Sequence, residues 1–226
     1  FNSHARSLFP APMPADPGTT AAAQRFVAGL RADGGTEMKP ALTAALAPPS
    51  LPGYARPVVF LTDGPVGNEH ELLKLIRANL GDRRLYTIAI GPAPNAWFIR
   101  KAAQFGRGTS TFIGDVRDVR ERMTALFEKL ERPTLTDLSI TWPVGAEVYP
   151  QQLPDLYSGE PIVVTASFAG APTTLSSVGR RGKSAWGTLR PTGASPAANG
   201  IGVLWARERI SALSGAQTMA LCSYDE

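Results

Sequence analysis

Two unbroken apolar runs constrain this chain more than any other feature: PVVFL at 57–61 and LYTIAI at 85–90. Runs of that length, rich in β-branched and aromatic residues and without polar alternation, read as strands buried on both faces, the usual state in a parallel sheet. Between them, Asn68 offers a helix cap, and Leu72, Leu73, Ile76 and Leu80 fall on one helical face. Strand, helix, strand at this spacing implies a right-handed crossover between parallel neighbours. The alternation continues with an Asn95-capped helix bearing Phe98, Ile99, Ala102 and Ala103, and a short strand at 109–113. A helix capped by Asp115 follows, with Val116, Val119, Met123, Phe127 and Leu130 on one stripe. Upstream, Thr19 and Thr20 are candidate caps for a helix with Ala23, Phe26, Val27 and Leu30 on its apolar face, ended by Gly34 and Gly35. A shorter helix over 37–47 carries Met38, Leu42 and Leu46 and stops at Pro48 and Pro49. Residues 1–132 therefore read as α/β, with a parallel sheet flanked by helices.

At Pro133 the period changes from 3.6 to 2. Leu138, Ile140 and Trp142 alternate with polar residues, as do Ile162, Val164, Ala166 and Phe168 with Val163, Thr165 and Ser167. Weak strands near 173–178 and 185–190 complete the pattern of a small antiparallel β-sandwich over 133–190. A C-terminal helical segment, 191–226, contains a helix over about 200–214 with Ile201, Leu204, Trp205 and Leu213. Apolar residues at 43% and charged residues at 19% are ordinary for a globular chain and exclude a disordered one. No apolar run is long enough to span a membrane. The single cysteine, Cys222, excludes an internal disulfide and a cysteine metal cage and reads as a small buried residue. The net charge of +4 is spread among acidic residues. Its densest cluster, Arg180, Arg181 and Lys183, sits among glycines and reads as a solvated turn.

Two short segments place oxygen donors at the carboxyl edge of the sheet, where open α/β folds bind ligands. One is Gly34-Gly35-Thr36-Glu37; the other is Thr62-Asp63-Gly64, directly after the first apolar run. An aspartate at a strand's end projects its carboxylate into the crevice above the sheet, and a threonine hydroxyl at the neighbouring helix start can face it. Carboxylate, hydroxyl and water are hard ligands, suited to Mg²⁺ rather than zinc or copper. Either segment alone is more often a plain helix cap or a turn; the two in this order are more specific.

GGTEMKPAL (34–42), VVFLTDGPVGNE (58–69) and LYTIAIG (85–91) together resemble the von Willebrand factor type A domain. More narrowly they resemble the form in inter-alpha-trypsin inhibitor heavy chains and their bacterial cell-envelope relatives; GIGVLWARERISAL (200–213) is similar to the segment that follows the domain there. The resemblance implies a Rossmann-like sheet and a metal-ion-dependent adhesion site (MIDAS) built from three loops. Thr36 and Asp63 correspond to its threonine and aspartate, with Gly35, Glu37 and Gly64 as ligand-binding neighbours. It implies Mg²⁺, or Ca²⁺ or Mn²⁺, and a protein ligand that completes the coordination with an acidic side chain. It further implies a secreted or surface protein and an adhesion function. The family's Asp-x-Ser-x-Ser motif is nowhere in this sequence. The chain is thus expected to begin inside the domain, with weak metal binding by this segment alone. The 58–62 strand is expected to have an open edge that a missing segment, a swapped element or another chain fills.

Enzyme function is not expected. There is no Gly-x-Ser-x-Gly elbow, no P-loop and no Gly-x-Gly-x-x-Gly after a strand, and Gly106 and Gly108 read as a cap and turn. His4 and His70 read as surface residues. Nucleic acid is not an expected partner either, because no continuous basic face with stacking aromatics exists. Two other readings remain open: a structural scaffold with a degenerate metal site, and a basic polyanion-binding module.

Overall fold

The computed structural model describes residues 1–31, 33–48, 54–92, 94–132, 134–157, 159–170, 175–182, 184–189 and 200–221. Pro133, Lys183, Cys222 and almost all of the 191–200 loop lie outside the described residues. The chain divides into two compact units, Phe1–Val116 and Arg117–Glu226. The division falls one helix before the change of period at Pro133.

The first unit begins with an extended segment and then helix α1 (Pro17–Ala28), followed by α2 (Met38–Leu46). Strand β1 (Pro57–Thr62), helix α3 (Glu69–Asn79), strand β2 (Arg84–Ile90), helix α4 (Ala96–Phe105) and strand β3 (Arg107–Ile113) complete it. The three strands form one parallel sheet in the order β1-β2-β3. Val58 stands opposite Leu85, Phe60 opposite Thr87 and Leu61 opposite Ile88.

One core holds this unit together. Met38, Leu42 and Leu46 from α2, Leu72, Leu73 and Ile76 from α3, and Phe98, Ile99 and Ala102 from α4 pack with Val58, Phe60, Leu85 and Ala89 of the sheet. The i, i+4 and i, i+3 spacing of these residues puts them on one face of each helix, which is why the spacing alone located three of the helices. Thr87 is fully buried, and its hydroxyl donates to the Ile99 carbonyl at 2.8 Å, so α4 is tied to the sheet by a satisfied polar contact. Gly108 sits in β3 rather than in a turn. A Cβ there would come within 2.2 Å of the Leu85 carbonyl oxygen, so only glycine allows the strands their closest approach.

Three expectations fail locally. Helix α1 is capped by Asp16, whose carboxylate accepts from the Thr19 N–H at 2.8 Å while the Thr19 hydroxyl accepts from the Asp16 N–H, a reciprocal capping box. It ends at Gly29, not at Gly34 and Gly35, and none of its residues is buried; Val27 is 63% exposed. Of the stripe, Ala23 and Phe26 are half-buried while Val27 and Leu30 face solvent. Strand β1 is buried on one face only, since Val59 is half-buried and Leu61 is exposed. Among the described residues β1 has β2 as its single neighbour, which agrees with the open edge expected of it, whereas β2 is flanked on both sides and fully buried from Leu85 to Ala89.

The second unit opens with a short 3₁₀ turn and helix α5 (Val119–Glu131), capped at Asp118 rather than Asp115. Leu126 is its buried residue, and Phe127 is 47% exposed. Strands β4 (Leu135–Thr141), β7 (Ser176–Arg181) and β8 (Ser184–Leu189) form one antiparallel sheet, and β5 (Glu147–Tyr149) pairs with β6 (Thr165–Ser167) in another. The apolar alternation over 162–168 yields only three strand residues, and Thr165 is its buried one. Helix α6 (Ile201–Leu221) is longer than expected. Its anchor is Trp205, whose indole donates to the Glu147 carbonyl at 3.2 Å and meets the Tyr149 ring edge-on at 6.1 Å. Arg209 adds an ion pair to Glu147 at 2.9 Å. Ile201, Leu204 and Leu213 are more than half exposed. No described helix is long and apolar enough to cross a membrane.

Candidate functional site

The loop after β1 and the loop before α2 meet at the carboxyl edge of the parallel sheet. Gly64 is the point of contact. A Cβ built on it would lie 2.6 Å from Thr36 Oγ1 and 2.9 Å from Thr36 Cγ2, so the hydroxyl occupies the space a side chain at 64 would need. Asp63 immediately precedes that contact. The Thr62 hydroxyl accepts from the Gly64 N–H at 3.2 Å and fixes the turn that carries Asp63 out of the strand. Thr62 itself is buried, Asp63 is exposed, and Gly64 is half-buried.

Thr36 does not cap α2. The cap position belongs to Glu37, whose side chain makes no capping bond. Among the described residues neither the Thr36 hydroxyl nor the Asp63 carboxylate has a hydrogen-bond partner. Thr36 and Asp63, 27 residues apart, are thus both exposed, and Thr36 packs against the glycine that follows Asp63. Gly35 and Glu37 are likewise exposed beside them.

Two residues that the spacing of the sequence could not single out hold this loop in place. Ser3 Oγ accepts from the Gly35 N–H at 2.8 Å, and Asn2 donates to Asp33 Oδ1 at 2.6 Å. The Asn2 carbonyl also accepts from the Glu37 N–H at 2.9 Å. Gly34 adopts φ +76°, and a Cβ there would meet Ser3 Oγ at 2.6 Å. The glycine pair therefore shapes the approach to Thr36 rather than ending α1. Phe1 stacks on Phe60 of β1 with ring centroids 5.1 Å apart, so the opening residues cover both the strand and the loop.

Around the same edge lie further carboxylates that are already engaged. Glu71 pairs with Lys39 and accepts from Asn68 at 2.9 Å; these hydrogen bonds, the lysine's first, hold its carboxyl below the usual glutamate range. Glu69 accepts from Asn95 at 2.7 Å. Among the described residues no group of three or more His, Cys, Asp or Glu could hold a metal ion. The donors present suit a hard cation in kind and fall short in number. A six-coordinate Mg²⁺ would take most of its oxygens from water or from another molecule.

Known proteins resemble this chain in sequence and fold. Residues 1–112 match the family model of the von Willebrand factor type A domain. They belong to that family. Among curated relatives, the mouse von Willebrand factor A domain-containing protein 5B1 is 28% identical over 62% of this chain and 11% of its own length. A Dictyostelium discoideum von Willebrand factor A domain-containing protein is 26% identical over 76% of this chain and 19% of its own. The chain thus spans between about a tenth and a quarter of the length of the curated relatives it matches. A solved von Willebrand factor type A structure from Catenulispora acidiphila matches with a TM-score of 0.59 at 21% identity, covering 84% of this chain and 55% of that one. At that identity the likeness is one of fold. The von Willebrand factor A domain is a module that often mediates protein interactions.

Proposed function

We infer that this chain is a protein-binding module whose contact to its ligand runs through a divalent cation at Thr36 and Asp63. The observation that supports this reading is the packing of Thr36 Oγ1 against Gly64, next to Asp63, with neither side chain hydrogen-bonded among the described residues. The ligand protein supplies an acidic side chain to the cation, which explains how a site with few donors of its own acquires a full set. On this reading the chain has no catalytic role, and its setting is the cell envelope or the extracellular space, as in the inter-alpha-trypsin inhibitor-like group. The open edge of β1 is a second place where another segment or chain can add a strand, because unpaired backbone groups there are available.

Calorimetry with Mg²⁺ tests the cation. Binding should be weak, with Kd above about 100 μM, and Thr36→Ala or Asp63→Ala should abolish it. Tight binding that survives both substitutions would put the cation elsewhere. Capture of a ligand protein should then be lost on addition of EDTA.

One observation favours a second reading, a scaffold domain with a degenerate site: the lack of any metal-competent cluster among the described residues. Ligand capture indifferent to EDTA and to Asp63→Ala would select it.

A further inference from the structure

The second unit contains an open trough of about 710 Å³, within the size range of ligand sites. Its floor is apolar, formed by Leu135, Leu156 and the buried Tyr157, with Trp186 at one side. Arg132 and Arg181 stand at its rim. The strand register explains their placement. Arg181 lies opposite Leu135 on β4 and opposite Ser184 on β8, while Trp186 lies opposite Gly179. Residues two apart share a face, so Arg181 and Trp186 are diagonal neighbours on the same side of the sheet.

The polar inventory of the trough is one-sided. Among the described residues the guanidinium groups of Arg132 and Arg181 and the indole N–H of Trp186 have no hydrogen-bond or ion-pair partner. The one carboxylate in the lining, Glu160, is tied to Lys129, whose ammonium is 2.7 Å from both of its oxygens and 4.5 Å above the Tyr157 ring. Backbone groups are also committed: the Leu135 and Leu156 amides and carbonyls pair with each other at 3.0 and 2.9 Å. Strand addition is therefore closed at this point. What remains among the described side chains is a set of strong donors above an apolar floor, with the one carboxylate already paired. Such a surface rejects a cation and rewards an acceptor-rich ligand with an apolar body.

We propose that this trough binds an acidic peptide segment of a partner protein, with carboxylates on Arg132 and Arg181 and an apolar side chain between Tyr157 and Trp186. The trough is open along its rim, so it suits a chain segment that enters and leaves rather than a small molecule that must be enclosed. This contact is independent of the cation at Thr36 and Asp63.

The test uses the full chain in EDTA, which silences the cation site. The probe is a fluorescein-labelled peptide of alternating glutamate and leucine, followed by anisotropy, with an alternating glutamine and leucine peptide as control. The acidic peptide should bind and the glutamine peptide should not. R132Q/R181Q should weaken binding by about tenfold or more, and each single substitution by a part of that, while R120Q, an exposed arginine on α5, leaves it unchanged. Trp186→Phe should remove the change in tryptophan fluorescence on binding. Circular dichroism of each variant confirms folding, and the single variants serve if the double one fails. No binding at about 1 mM peptide overturns the proposal. So does an equal loss with R120Q, or heparin displacing the peptide from wild type and R132Q/R181Q alike, since either shows diffuse attraction to net positive charge.

Discussion

Strands β1 and β2 read almost identically in sequence and live in different surroundings. β2 has a neighbour on each side and side chains buried on both faces, from Leu85 at 0% exposure to Ala89 at 0%. β1, aligned with it residue for residue, buries Val58, Phe60 and Thr62 but leaves Leu61 37% exposed. An apolar run therefore reports that a segment joins a parallel sheet. It does not report whether the segment is central or at the edge, because both positions need one fully apolar face and tolerate a second.

Substitutions in register test that contrast most sharply. Ile88→Lys places an unpaired charge where no water reaches and should cost more than about 4 kcal/mol, which would leave the first unit unfolded by denaturant titration. Leu61→Lys, at the residue opposite it, should cost less than about 1 kcal/mol, because the ammonium reaches solvent. Equal costs would mean that the β1 edge is covered in solution. Gly108→Ala comes next. Its methyl would press on the Leu85 carbonyl, a backbone atom that cannot swing aside, and should lower stability by about 1–3 kcal/mol in the same titration. Phe1→Ala removes the ring stacked on Phe60 and should cost about 1 kcal/mol, with faster amide exchange in β1 and none in β2. The smallest effect concerns pH. Glu71 has its folded-state pKa lowered below 4.5 by Lys39 and Asn68, so its contribution is present above that value and lost as pH falls through the folded pKa. The thermal midpoint should decline between about pH 5 and pH 3 slightly more steeply in wild type than in Lys39→Met.

Much of this architecture was legible beforehand. Met38, Leu42 and Leu46, then Leu72, Leu73 and Ile76, then Phe98, Ile99 and Ala102 were each found by helical spacing and are each buried. The same rule failed for Val27, Leu30, Phe127, Ile201 and Leu213, all exposed, because periodicity records a helix's apolar face and not whether anything packs against it. In the second unit the alternation over 162–168 predicted a long strand; Tyr149 and Thr165 proved to be its fixed points, and pairing stops after three residues. The segments carrying Thr36 and Asp63 are legible in the sequence, their roles rest on the family resemblance, and the structure packs Thr36 against Gly64. Asn2 and Ser3 could not be found that way, because they act on a loop more than thirty residues away through hydrogen bonds that leave no periodic trace.

The order of strands and helices, the parallel sheet and the two donor segments follow from the sequence, since each depends on local spacing and on the chemistry of a few side chains. Which face of β1 stayed partly open, which apolar stripes were left in solvent and how a trough of unpaired donors formed across β4, β7 and β8 depended on which surfaces met. That is a property of packing between distant segments, and only the tertiary structure decides it.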